Sequence, residues 1–356
     1  MIRIFLKTFL YRLFRRFGWP KVKPVNFTLG ISCVCNSRCQ TCHIWEKKVE
    51  ELKIEEWEKI LKKIGSGIFW VTISGGEPFL ASHLVALVKL VKIYLQPNII
   101  TIPTNGLLTE VIIDKVKRIC EENNKVKIII NFSLDGLGPR QDEIRGVEGS
   151  FEKLIKTYRG VKQLDYDNLT VGIHTVISKL NTKDLPTLFN FVLDELKPDQ
   201  YITEIAERRV ELDNLTYDIT PSPEEYSLII DSLREKIKKH EFKKVGRITE
   251  AFRLEYYQAV KRILREETQV IPCYAGVASA QISADGQIWP CCIRADNLGN
   301  LRDNNYDFKK VWFSPEAGKV RRSIKNKECA CPLANAFYTN MLGHNRTLLK
   351  VITHLR

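Results

Sequence analysis

Eight residues, Cys35-Asn36-Ser37-Arg38-Cys39-Gln40-Thr41-Cys42, hold three thiols separated by three and then two residues. They follow the apolar run Val25-Asn26-Phe27-Thr28-Leu29-Gly30-Ile31-Ser32, which reads as a strand. A loop leaving a strand end can wrap until three thiolates face one centre. Three thiolates hold three irons of a cubane iron–sulfur cluster and leave the fourth iron open. Zinc more naturally takes four ligands, often paired as Cys-x2-4-Cys. A disulfide framework does not suit the chain, because nothing in it has a secretory character.

The spacing Cys35-x3-Cys39-x2-Cys42 resembles the signature of the radical S-adenosylmethionine (radical SAM) enzymes. The resemblance implies a [4Fe–4S] cluster on Cys35, Cys39 and Cys42 whose open iron chelates SAM. It further implies cleavage of SAM by one electron to methionine and a 5′-deoxyadenosyl radical, which takes a hydrogen from a substrate. A reductant such as flavodoxin or ferredoxin is implied as partner. Thr41 stands where the family commonly has an aromatic residue, so Trp45 or His43 is expected to cover the adenine side.

The elements that must position these residues come next in the chain. Ile54–Ile64 places Trp57, Ile60, Leu61 and Ile64 on one face and reads as a helix. Runs at 69–74, 99–103, 126–132, 170–177 and 200–205 read as strands, with helical segments between them. Six strands alternating with helices predict parallel βαβ units with right-handed crossovers. The fold class is α/β, and by resemblance an open (β/α)6 partial TIM barrel over residues 24–210. Chemistry in such barrels gathers at the C-terminal strand ends.

Gly75-Gly76-Glu77-Pro78 follows the second strand. Its glycines permit close approach to a ligand and its carboxylate can pair with an ammonium group, although a plain turn explains the same tetrapeptide. It resembles the family's Gly-Gly-Glu motif, which implies that Gly75, Gly76 and Glu77 contact the SAM methionine ammonium. Ser133, at the fourth strand end, matches a family serine that bonds SAM. Arg145 matches an arginine that pairs with the SAM carboxylate in some relatives, and Asn105 is a further SAM-binding candidate. His174 reads as a core histidine. Glu204 and Glu207 near the sixth strand end either face the substrate or are solvated charges.

Cysteines return at 273, 291, 292, 329 and 331, half of the chain's ten. Between the first two, Ala280–Trp289 alternates and bends at Asp285-Gly286, a β-hairpin signal. Hairpin ends and a later Cys-x-Cys can converge on one cluster, and four thiolates would close it. A tetrahedral zinc site is the alternative. The region resembles a SPASM/twitch extension of radical SAM enzymes, holding an auxiliary [4Fe–4S] cluster on Cys273, Cys291, Cys329 and Cys331. Cys292 competes as a ligand, while Cys33 and Cys120 read as structural thiols.

Lysine and arginine number 55 against 42 acidic residues, a formal charge of +13 that favours anionic partners. No run approaches the roughly 20 apolar residues of a membrane span. Residues 1–17 recur at helical spacing, with Ile2, Phe5, Leu6, Phe9, Leu10, Leu13 and Phe17 apolar and Arg3, Lys7, Arg12 and Arg15 largely opposite. That pattern suits an interfacial helix on an anionic membrane surface, or a helix capping the chain's own core. The tail Leu348–Arg356 is similarly basic and apolar.

The expected organisation is a basic helix (1–23), the radical SAM core (24–210), a helical connector (211–268), the auxiliary domain (269–340) and a basic tail (341–356). The expected location is cytoplasmic, peripheral on the inner face of the membrane. The expected reaction is hydrogen abstraction from an unidentified substrate, with a membrane-presented lipid or lipid-linked sugar as the first class. A peptide maturase is the alternative, weakened by the short stretch before the first strand. A molybdenum-cofactor cyclase is disfavoured by the terminal Leu355-Arg356. A non-enzymatic iron–sulfur or zinc protein binding nucleic acid is the rival class, and neither a helix-turn-helix nor an aromatic single-strand platform supports it.

Overall fold

The computed structural model describes residues 2–240 and 245–354, with the side chains of 7–240 and 246–354. The side chains of Ile2, Arg3, Phe5 and Leu6, and residues Leu355 and Arg356, lie outside the described residues. The first helix, α1 (Ile2–Phe17), precedes six parallel strands: β1 (Asn26–Gly30), β2 (Trp70–Ser74), β3 (Ile99–Thr104), β4 (Lys127–Ser133), β5 (Leu169–Ile177) and β6 (Gln200–Ile205). Between them run α2 (Ile54–Ile64), α3 (Leu84–Leu95), α4 (Thr109–Glu122), α5 (Pro139–Arg145), α6 (Ser150–Lys162) and α7 (Leu185–Asn190). The last of these continues through Phe191–Leu196 as a wider π turn, where the sequence pattern predicts one uniform helix.

The crossovers form because each has an apolar stripe to bury. In α2, Trp57, Ile60, Leu61 and Ile64 recur at helical spacing and all four are buried. Gly65 stops the helix at φ +70°, where its N–H returns to the carbonyl of Leu61. All five residues of β1 are buried, as expected for a parallel strand covered on both faces.

The sheet does not end at six strands. β7 (Ser279–Ile282) pairs in parallel with β1, Asn26 opposite Ser279 through Leu29 opposite Ile282. β8 (Ile288–Trp289) then turns back antiparallel on β7. The order is β6-β5-β4-β3-β2-β1-β7-β8, an open sheet of eight strands. The hairpin read at Ala280–Trp289 is therefore continuous with the barrel sheet. Without it, the backbone groups on the outer edge of β1 would lack partners.

Two helices, α8 (Pro223–Ile237) and α9 (Val245–Glu266), fill the connector, and α9 packs beside β6. After the hairpin come α10 (Phe308–Trp312), α11 (Pro315–Lys325), α12 (Ala334–Gly343) and α13 (Asn345–His354). The N-terminal helix docks on this C-terminal part. Tyr11 and Phe14 are buried with Tyr274, Val277 and Ala278. Arg15 donates from Nε to the carbonyl of Cys273 at 2.8 Å, and Arg12 to that of Gly343 at 3.0 Å. Phe9, Leu10 and Phe17 stay exposed on the outer face, as does Trp19 just beyond it. In α13, Val351 is buried, while Leu349 and Ile352 are exposed. Among the described residues no helix is long and apolar enough to cross a membrane.

The segment after β8 is tied to α2 by Arg302, whose Nε and Nη2 donate to the Glu56 carboxylate at 2.8 and 3.1 Å. That fork holds the Glu56 carboxyl down to about 2. Because the folded value lies below the unfolded one of about 4.3, the pair stabilises the fold above that pH. Its contribution fades as pH falls toward the folded value. Arg302→Ala should thus lower the melting temperature at neutral pH, with the deficit against wild type narrowing progressively below about pH 4 in thermal melts.

Candidate active site

The cysteine loop is anchored as soon as it leaves β1. Ile31 N–H donates to Ser74 O at 2.8 Å, Gly76 N–H to Ser32 O at 2.8 Å, and Glu77 N–H to Val34 O at 2.9 Å. A Cβ on Gly75 would lie 2.3 Å from Ser32 O, and one on Gly76 2.2 Å from Val34 O. The two glycines are therefore required by the chain's own loop, and the Gly76 and Glu77 amides already have acceptors. Glu51 braces the same turn, its Oε1 accepting from the Ser32 hydroxyl and the Cys33 N–H, both at 2.8 Å.

The middle of the loop is held from the opposite side. Arg38 and Gln40 N–H groups donate to the carbonyls of Arg145 and Ile144 at the end of α5, each at 2.9 Å. Gly146, at φ +62°, leaves room for Arg38 O, which would sit 2.3 Å from a Cβ there. Asn105 at the end of β3 donates to Asn36 Oδ1 at 2.7 Å and Ser37 Oγ at 3.0 Å, with Cys35 Sγ 3.9 Å away. Its visible work is on the loop itself.

Glu77 sits beneath these elements, fully buried. Its Oε1 accepts from Phe79 N–H at 3.1 Å and the Thr104 hydroxyl at 3.0 Å, and its Oε2 from Asn105 N–H at 2.7 Å. Burial pushes its carboxyl up to about 7 against the pull of those donors. The carboxylate thus joins the ends of β2 and β3 and fixes Asn105.

Above Glu77 opens a cavity of about 170 Å³ at the C-terminal strand ends, lined by Cys35, Cys39 and Cys42 together with Gly75, Gly76 and Ser133. Arg145 reaches into it. Its Nη2 pairs with Asp135 at 2.7 Å, its Nη1 lies 3.8 Å from Cys39 Sγ, and its buried Nε has no partner. Arg145 is thus held from within the chain by Asp135. That residue follows β4 and carried no distinguishing pattern.

The far wall departs further from the sequence reading. His174 is not a core histidine: it lines the cavity, with Nε2 3.7 Å from Glu204 Oε1. Burial lowers its pKa, against the pull of the Glu204 carboxylate. Glu204 and Glu207 are not solvated, because both line the same cavity and share Arg209 at 3.5 and 3.2 Å. Burial opposes ionisation of Glu204, yet His174, Arg209 and Arg253 outweigh it and hold the carboxyl low. Glu207 is pushed up to about 7 by burial. Arg253 arrives from α9, donating to Thr203 O at 2.8 Å, and had no local signal in the sequence.

His43 and Trp45, expected to cover a nucleotide base, are engaged elsewhere. His43 stacks on Tyr217 at 4.1 Å, and the Arg38 guanidinium lies 4.3 Å from the centre of the Trp45 ring. Thr41 and Ile44 line the cavity in their place.

Around a second cavity in the C-terminal region stand Cys273, Cys291, Cys329 and Cys331. Cys292 does not line it and is buried, with Glu211, Arg209 and Glu207 among the charges acting on its thiol. A side-chain hydrogen bond from Gln269 to the Cys329 carbonyl at 2.9 Å helps to fix this end of the chain. Cys33 borders a separate cavity near the hairpin, and Cys120 is buried in α4.

Both thiol sets suit iron–sulfur clusters. Three thiols line one cavity with a buried, partly unpartnered guanidinium, and four line another among apolar side chains. Burial pushes Cys42 and Cys291 up to about 12, so cationic irons would be needed to keep them as thiolates. Among the described residues no group of three or more His, Cys, Asp or Glu is placed to hold a single metal ion.

Comparison with known sequences agrees with this geometry. Residues 29–192 match the model of the radical SAM superfamily, and residues 273–332 that of the SPASM iron–sulfur cluster-binding domain. An Fe-coproporphyrin III synthase of Methanosarcina barkeri is 29% identical over 172 residues, covering 46% of this chain and 40% of that protein. The chain thus aligns with less than half the length of that relative. A probable GTP 3′,8-cyclase of Sulfurisphaera tokodaii is 26% identical over 295 residues, covering 81% of this chain and 86% of that one. The crystal structure of Streptococcus suis SuiB bound to S-adenosylmethionine shares the fold, with a TM-score of 0.60 to 0.62 across SuiB structures and 19% identity over 84% of this chain and 68% of that chain in the SAM-bound form.

The Glu77 hydrogen bonds yield a direct check. Glu77→Gln keeps the shape but turns one acceptor into a donor facing N–H or O–H groups. The variant should lose about 1–3 kcal/mol in chemical denaturation, the cost of leaving a buried donor unsatisfied.

Proposed function

Because the chain belongs to the radical SAM superfamily and carries a SPASM domain, we propose that it cleaves S-adenosylmethionine reductively and abstracts a hydrogen from a substrate held in the 170 Å³ cavity. The observation that carries this reading is that Cys35, Cys39 and Cys42 line one cavity with Glu77, Ser133 and Arg145. When bound, a [4Fe–4S] cluster on those three thiols supplies the electron that splits SAM to methionine and a 5′-deoxyadenosyl radical. A flavodoxin- or ferredoxin-type protein is the proposed source of that electron. The four thiols Cys273, Cys291, Cys329 and Cys331 would hold an auxiliary [4Fe–4S] cluster suited to electron transfer.

The chain's own residues divide the remaining work. Gly75 and Gly76 let the cysteine loop lie close against β2, and Asn105 fixes its turn. Ser133 presents a hydroxyl at the cavity, and Arg145 presents a guanidinium whose Nε still has a free donor. The His174–Glu204–Arg209–Glu207 wall faces the substrate side. Glu207 Oε2, bonded to Arg209 and pushed up to about 7, can hold or release a proton near neutral pH. The domains proposed are a basic helix at 1–23, the core at 24–210, the connector at 211–268, the auxiliary domain at 269–340 and a tail at 341–356.

For the substrate, a lipid or lipid-linked sugar at an anionic membrane surface is favoured, which would place the protein on the inner face of the cytoplasmic membrane. The exposed Phe9, Leu10, Phe17 and Trp19 beside basic residues support it. A peptide substrate is the second reading, favoured by a fold shared with SuiB bound to its precursor peptide SuiA. Since Tyr11, Phe14 and Arg15 pack on the C-terminal part, deletion of residues 1–17 would disturb the auxiliary site and is a poor probe of membrane contact.

Anaerobic reconstitution tests the central reading. The wild-type chain should take up about eight irons, two cubanes, and release 5′-deoxyadenosine on reduction with SAM. Cys39→Ala should abolish that release and lose about half of the iron. Cys331→Ala should lose iron while retaining release without substrate. Undiminished release from Cys39→Ala would refute the proposal, and deuterium transfer into deoxyadenosine from a labelled lipid or peptide would decide the substrate class.

A further inference from the structure

A cleft of about 270 Å³ opens between the end of α1 and the 318–325 face of α11. Its cationic lining is Arg15, Arg16, Lys21, Arg321, Arg322 and Lys325, and no carboxylate lines it. None of these six forms an ion pair with an acidic side chain among the described residues. Several are held by neutral groups instead. Arg15 donates to Cys273 O and Lys325 to Arg16 O, while Arg321 donates to the carbonyls of Gly276 and Trp312. Lys21 lies over the Phe313 ring and Arg321 over Phe14 and Trp312.

Six positive charges brought together without a counter-charge repel one another, a cost that a bound anion would remove. The neutral partners fix the guanidinium groups in place without neutralising them. Arg16 and Arg322 have guanidinium donors left for a ligand, and such groups match the oxygens of a phosphate. Phe17, which lines the cleft, is 65% exposed, and Trp19, two residues on in the chain, is 72% exposed. Trp and Phe beside basic side chains suit the boundary between lipid headgroups and acyl chains.

We infer that this cleft binds the phosphate of an anionic lipid headgroup, with Phe17 and Trp19 entering the adjoining acyl boundary. The inference deepens the membrane reading above, on which it rests, by naming the site and the chemical group. The cleft is separate from both thiol cavities, so its occupancy and the radical chemistry can be measured independently.

The test is cosedimentation of the full, reconstituted chain with vesicles of phosphatidylcholine alone or mixed with phosphatidylglycerol. Wild type should bind the mixed vesicles and not the neutral ones. Arg16→Gln combined with Arg322→Gln should weaken that binding roughly thirty-fold, from about fivefold per cation near an anionic leaflet, with iron content and deoxyadenosine release unchanged. Phe17→Ser with Trp19→Ser, which alters no cation, should weaken vesicle binding but leave calorimetric binding of inorganic phosphate intact. It carries the decision if the charge variant loses iron. Equal binding to both vesicle types, or wild-type binding by the charge variant, would overturn the inference. Phosphate binding without vesicle binding would overturn the lipid source and assign the cleft to a soluble anion. A chain that binds mixed vesicles but releases no deoxyadenosine would sink the proposed reaction and leave this site standing.

Discussion

The contact on which the site depends is between two backbones: Ser32–Val34 lying on Gly75-Gly76. At 2.2–2.3 Å from an imagined Cβ to a carbonyl oxygen, no side chain can be accommodated at either glycine. The close approach lets Gly76 and Glu77 extend the β1–β2 ladder past the strand ends. That extension sets the direction in which the cysteine loop leaves the barrel. It also brings Glu77 under β3, where its carboxylate captures Asn105, which in turn holds Asn36 and Ser37. Backbone proximity is thereby converted, in two steps, into a defined position for three thiols.

Electrostatics organises the rest of the cavity. Several buried charges of the cavity are paired: Arg145 with Asp135, Glu204 with His174, Arg209 and Arg253, Glu207 with Arg209. Breaking one such pair would strand the survivor in a poorly solvated place, which costs about 3–5 kcal/mol, far more than an exposed pair contributes. The result is a polar chamber of fixed geometry, with Arg145 Nε and His174 Nε2 lacking close hydrogen-bond partners.

Much of this was legible in the residues because local patterns carry local structure. The bounds of α2 and β6 follow from apolar spacing, and the Cys35–Cys42 spacing, with the strand-end clusters behind it, carried the family resemblance. The illegible parts are long-range. Arg253 lies 49 residues beyond Glu204, and nothing in its neighbourhood on α9 announces a cavity at β6. His174 reads as one more member of an apolar strand, since alternation cannot say what stands opposite it. Trp45 and His43 were aromatic and near the motif, yet Arg38 and Tyr217 had already claimed them. The Gly-Gly pair, read as room for a ligand, is also required by the chain's own loop.

The pairing of β7 with β1 reaches beyond topology. The hairpin that leads into Cys291 shares a hydrogen-bonded ladder with the strand that leads into Cys35. The two thiol-bearing regions are therefore parts of one continuous sheet, and no free linker joins them.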